Sequence, residues 1–86
     1  MKSIKFDKNA QKEINKIDLP TRRRIVNGIA GLVKEPPQGD IKQLKGKLDG
    51  FNRLRVGSWR IIYEITEETI NILIISPRGG AYKKGV

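Results

Sequence analysis

Three arginines stand close together in the stretch 50–63, which reads GFNRLRVGSWRIIY: Arg53, Arg55 and Arg60. Two runs of alternating character, 51–56 and 59–65, flank Gly57-Ser58. A two-residue break containing Gly between such runs marks a tight hairpin, because Gly takes the positive φ that the turn requires. Alternation sends Phe51, Arg53 and Arg55 to one face of the first strand and Leu54 and Val56 to the other. On the second strand Arg60, Ile62 and Glu64 oppose Trp59, Ile61, Tyr63 and Ile65. With Leu54, Val56 and the Trp59 set turned to a core, the three arginines converge on the open side of the sheet. Guanidinium groups grip anionic oxygens in pairs through a planar fork, so this face suits a polyanion.

Composition narrows the chemistry further. Eighteen Lys and Arg against nine Asp and Glu give 86 residues a net charge of +9, which speaks to association with something acidic, nucleic acid first and an acidic protein or anionic membrane second. The chain has no cysteine, which removes disulfides, thiolate chemistry and Cys-based metal sites. It has no histidine either, which removes an imidazole base and ordinary zinc coordination. No metal ion or other cofactor is expected. The opening MKSIKFDKNA lacks the apolar run of a signal peptide, and the run 72–75 is far shorter than the roughly 18 to 20 residues of a membrane span. The expectation is a cytoplasmic protein with no membrane partner, residues 1–86 forming one domain.

The elements that must hold the arginines follow from periodicity. Residues 2–6 alternate, with Ile4 and Phe6 on one side, and predict a short strand. Asp7 sits at an N-cap position, and Ala10, Ile14 and Ile17 follow at helical offsets, predicting an amphipathic helix of about ten residues. Leu19-Pro20 ends it, and Pro20 can open the next helix, 20–34, whose buried stripe is Ile25, Ile29 and Leu32 or Val33. Gly28 and Gly31 weaken that helix but allow close approach to a neighbour. Pro36-Pro37 and Gly39 stop it, and a polar connector with Lys42, Lys45 and Lys47 leads to the hairpin. After it, the run 70–75 is almost wholly apolar, and a run apolar on both faces belongs in the middle of a sheet. Arg78 to Lys84 is a basic tail. The predicted class is α+β: strand, helix, helix, strand, strand, strand, an antiparallel sheet with a two-helix hairpin on one face.

Pro36-Pro37 with Gly39-Asp40, then Lys45-Gly46, then GFNRLRVGSWRIIYEI, then an apolar strand running into Arg78 and Tyr82, together resemble the RelE/ParE superfamily of bacterial toxins from type II toxin–antitoxin modules. The likeness spans nearly the whole chain. Its motif does not choose between the RelE branch, which cuts mRNA in the ribosomal A site, and the ParE branch, which poisons DNA gyrase. Carried over position by position, the RelE branch implies five working residues: Arg53, Arg55, Arg60, Arg78 and Tyr82. All five are chemically suitable, and that favours the nuclease. The tail departs from many relatives, with Pro77-Arg78-Gly79-Gly80-Ala81-Tyr82 and no histidine.

Cutting RNA by internal transfer needs a base for the 2′-OH, stabilisation of the phosphate in flight and an acid for the departing oxygen. The resemblance assigns the phosphate to Arg53, Arg55 and Arg60, and gives Tyr82, its phenol acidified by neighbouring cations, the role of base. Arg78 is then a stabiliser or acid. Lys42, Lys45 and Lys47 are candidate contacts to RNA phosphates. Further implications are a metal-independent enzyme, a cognate antitoxin, the ribosome and mRNA as partners, and operator DNA bound only through the antitoxin complex. A gyrase inhibitor, or a degenerate member that only binds its antitoxin, are the other readings.

Overall fold

The structure is a computed structural model and describes residues 2–77. Asp7 caps the first helix as expected, its side chain accepting from the Asn9 backbone N–H at 3.2 Å. The elements run β1 (Ser3–Phe6), α1 (Lys8–Lys16), α2 (Leu19–Ala30), a 3-10 turn (Gly31–Val33), β2 (Asp40–Gln43), a second 3-10 turn (Gly46–Leu48), β3 (Asn52–Val56), β4 (Trp59–Ile65) and β5 (Thr69–Pro77). The predicted α+β order is present, with one strand more. Residues 40–43, read from the sequence as connector, pair antiparallel with β3. Ile41 alone on this strand packs against the core, opposite Leu54, while Asp40, Lys42 and Gln43 are exposed. An edge strand can be this polar because one side of it meets water.

The sheet has the order β1-β5-β4-β3-β2. The last four strands in sequence pair antiparallel, as a meander does. β1 instead runs parallel to β5, so the sheet is mixed and not wholly antiparallel. No hairpin joins those two strands; nearly the whole chain lies between them, and a long connection leaves strand direction free. β5 thereby has a neighbour on each side, which suits its largely apolar run 70–75.

Both helices cover one face of the sheet. Asp18 caps α2 by accepting from the Thr21 N–H at 3.2 Å, with Pro20 in the first turn, where its missing N–H costs nothing. Arg22 ties the two helices together, its Nη2 donating to the carbonyls of Asn15 at 3.1 Å and Ile17 at 2.9 Å. The helix residues Ala10, Ile14, Ile25 and Ile29 are buried against Leu54, Ile61, Tyr63, Ile70, Ile72 and Ile75 of the sheet. α2 comes so close to β3 that a Cβ added at Gly28 would lie 2.7 Å from Val56 Cγ2. A β-bulge breaks the β4–β5 register: Ile62 pairs with Ile74 but Tyr63 with Ile72. The extra residue, Leu73, shifts the alternation, which is why Ile70, Ile72 and Ile75 all reach the same core.

Candidate anion-binding face

Gly57 adopts φ +61 at the β3–β4 turn, and the register this sets places Arg55 directly opposite Arg60, Leu54 opposite Ile61 and Arg53 opposite Ile62. Since Leu54 and Ile61 are core residues, their neighbours point away from the helices. β2 extends the pattern by placing Asp40 opposite Arg55 and Lys42 opposite Arg53. The open face therefore carries two cross-strand rows. One reads Asp40, Arg55, Arg60, Ser76, and the next reads Lys42, Arg53, Ile62, Ile74. Arg53, Arg55 and Arg60 are brought together, as the sequence predicts, with Lys42 beside them.

The residue not anticipated in this role is Asp40. One carboxylate oxygen accepts from Arg53 Nη2 at 3.0 Å, and the other pairs with Arg55 Nε at 3.1 Å. A single carboxylate thus bridges two of the three guanidinium groups. The Arg53 side chain is only 13% exposed, whereas Arg55 and Asp40 are about half exposed at 49% and 50%. Arg60 is different. Among the described residues it has no hydrogen-bond or ion-pair partner, and its Nε is buried and unpaired. Glu64, four residues along β4 from Arg60 on the same face, accepts from Asn71 Nδ2 at 3.4 Å, the residue opposite it on β5. Four residues along one strand is a longer reach than the directly facing position on the next.

Beneath the arginines lies Ile62, 2% exposed although it points away from the helix-side core. An apolar floor under cationic side chains lowers the local dielectric and strengthens their attraction for an anion. Lys45 and Lys47 are exposed in the loop between β2 and β3. Trp59 packs against the helix-side core and lines a cavity of about 290 Å³ with Arg24, Ile25 and Val56 between α2 and the hairpin turn. It stands on the opposite side of the sheet from Arg60, as its parity with Ile61 predicts. Tyr63 is buried in the core, and burial raises its phenol above the ordinary value, the reverse of what a base requires. Arg78 and Tyr82 lie outside the described residues. Asp40 could have been noticed in the sequence only by pairing it across an edge strand with a single apolar residue.

The model of the family described as the ParE toxin of type II toxin–antitoxin systems matches residues 4–82. Among solved structures, the chain is similar to the archaeal RelE–RelB complex from Pyrococcus horikoshii, at 28% identity and a TM-score of 0.74, covering 91% of this chain and 96% of that one. It is similar also to the RelB–RelE complex from Methanococcus jannaschii, at 26% identity and a TM-score of 0.73, covering 93% and 96%. The RelBE2 toxin–antitoxin complex from Mycobacterium tuberculosis shares the fold, with a TM-score of 0.76 at 24% identity over 90% of this chain and 98% of that one. No curated protein matches. The sheet, its two-helix cover and the family match over nearly the whole chain lead to one conclusion: this chain belongs to the ParE toxin family of type II toxin–antitoxin systems, within the RelE/ParE superfamily.

Proposed function

We propose that this toxin is a RelE-like mRNA endoribonuclease that acts on messages held by the ribosome and needs no metal ion. The observation that carries the reading is the convergence of Arg53, Arg55 and Arg60 on one open face, with Arg60 lacking an anionic partner among the described residues. Arginines arranged in this way stabilise charge on a phosphate in flight. Arg78 and Tyr82 complete the set, as stabiliser or acid and as base. Lys42, Lys45 and Lys47 contact RNA phosphates around it. Without a histidine pair such a site is a weak ribonuclease, and a substrate aligned by another body offsets that weakness through orientation. Similarity to toxins solved with their antitoxins supports a cognate antitoxin, acidic enough to answer the +9 charge. Operator DNA is reached only through that complex.

The matched family is described by its ParE member, and this favours a second reading, inhibition of DNA gyrase by binding alone. Purified protein mixed with naked message and with programmed ribosomes separates the two. Codon-positioned cuts on ribosomes, with little cutting of naked RNA, are expected. Equal cutting of both substrates removes the ribosome from the mechanism, and DNA damage in cells whose transcripts stay intact replaces the nuclease with the gyrase inhibitor.

A further inference from the structure

Arg55 has two suitors. On one flank, across β2, Asp40 stands opposite it; on the other, across β4, stands Arg60. Side chains directly opposite on neighbouring strands have Cβ atoms about 5 Å apart, so Arg55 and Arg60 are close enough to share one phosphate. Two cations facing each other also repel, and an anion between or beside them relieves that repulsion. Asp40 is the acidic residue that does so from within the chain. It engages Arg55 at Nε, at 3.1 Å, and its other oxygen accepts from Arg53.

We propose that Asp40 is a specificity-determining residue of this face: a resident counter-anion that holds Arg53 and Arg55 against free polyanions and leaves Arg60 as the point where a phosphodiester first binds. This rests on the reading of the face as an RNA site given above. A carboxylate bridging two guanidiniums imitates the two-oxygen contact a phosphate would make. An RNA strand arriving from solution must share Arg55 with that carboxylate and accept its repulsion. A strand already held by other contacts pays the same penalty and stays bound, whereas a free strand with little else to hold it falls below occupancy, so Asp40 raises discrimination against unaligned RNA at the expense of affinity.

An opposite role, in which Asp40 chiefly orients Arg55 for the ligand, predicts the reverse sign. Magnitudes choose between them. An ion pair half open to water restrains its partners weakly, so little orientation is lost with the carboxylate. One negative charge roughly 6 Å from a bound phosphate, at an interfacial dielectric between those of water and protein, weakens binding by about three- to tenfold.

The test is fluorescence anisotropy of a labelled short single-stranded RNA, titrated with the purified full chain over a series of salt concentrations. Asp40→Asn keeps the shape and removes the charge; Asp40→Ser is a second neutral variant should the first fold poorly, and thermal melting checks both. Glu13→Gln is the charge-matched control, since Glu13 is partly exposed on α1 and, among the described residues, its ion-pair partner is Lys16, at 3.6 Å. The expected result is RNA binding tightened about three- to tenfold by Asp40→Asn, with the slope of log K against log salt steeper by about 0.7, the increment for one more phosphate contact on a single strand. Glu13→Gln should stay within about twofold of the parent, because its charge lies beyond the reach of screened Coulomb forces on the sheet face. Asp40 variants that bind no tighter than Glu13→Gln, or more weakly than the parent, overturn the proposal. Arg60→Ala in the same assay reports separately on the RNA reading: if binding survives it unchanged, the face is not the RNA site, whatever the Asp40 variants do to the sign of the charge effect.

Discussion

Arg53 and Arg55 share a carboxylate but stand in different surroundings. Arg53 is 13% exposed, so removing its acceptor strands a charge that water reaches poorly, while Arg55 at 49% exposure can be rehydrated. Leaving a largely buried charged donor unpaired costs about 1–3 kcal/mol, against about 0–1 kcal/mol for an exposed pair. In a domain of this size each kcal/mol moves the melting temperature by about 4–8 °C. Asp40→Ala should therefore lower the melting temperature by roughly 4 °C or more, Asp40→Asn by less because its amide oxygen still accepts, and Arg55→Ala least of the three. Thermal unfolding of the three variants checks the order. A second residue gives a pH dependence. The Thr21 backbone N–H, and then the Thr21 hydroxyl, hydrogen-bond to Asp18 and hold its carboxyl below the ordinary carboxylate range. Because the folded pKa is depressed, the stability that Asp18 contributes is complete above its unfolded value and is lost as pH falls through the folded one. The melting-temperature gap between the parent and Asp18→Asn should be open at neutral pH and close as the solution is acidified below the carboxylate range.

At the scale of elements, the seam between α2 and β3 sets how the hairpin is held. Ala is ordinarily a better helix residue than Gly by about 1 kcal/mol. At position 28 its methyl would meet Val56 Cγ2 at 2.7 Å, and a β-branched side chain has no easy rotamer to retreat into. Overpacking costs about 1–3 kcal/mol, so Gly28→Ala should destabilise on balance despite the propensity gain. Combined with Val56→Ala, which opens the seam, the pair should be more stable than the sum of the single effects by about 1 kcal/mol; denaturant unfolding of all four proteins measures that coupling. The close approach was legible in the sequence because Gly28 interrupts an otherwise periodic stripe through Ile25 and Ile29. The hairpin was legible for the same kind of reason, with Gly57-Ser58 set between runs of clear alternation. Strand β2 was not, since Ile41 is its only apolar residue and one residue has no period. Nor was the bulge at Leu73: in a run of Ile, Leu and Ile every register looks apolar, and only pairing with β4 decides which residue is extra. The Asp40 bridge depended on the first of these, the β2–β3 register, so the arginines could be seen to converge while their counter-ion could not.

Taken whole, the described molecule separates its tasks by face. The helices and the interior they cover lie on one side of the sheet; the cationic rows lie on the other, over Ile62. A substitution confined to the cationic side should therefore change what the protein binds or cuts without loosening its core. Arg60 is the cleanest place to apply this, because no described residue relies on it as an ion-pair partner, unlike Arg53 with Asp40. Arg60→Ala should melt within a few degrees of the parent, since among the described residues it breaks no ion pair or hydrogen bond and it removes a buried donor that none of them satisfies. Induction of the parent is expected to arrest growth, and Arg60→Ala should abolish that arrest while leaving binding of a cognate antitoxin nearly intact. Arg53→Ala should instead lose stability and toxicity together. The decisive comparison is arrest against melting temperature and transcript integrity for both variants. If Arg60→Ala still arrests growth while transcripts stay whole, the convergent arginines are not what makes this chain a toxin, and the gyrase reading inherits the same sheet with a different working surface.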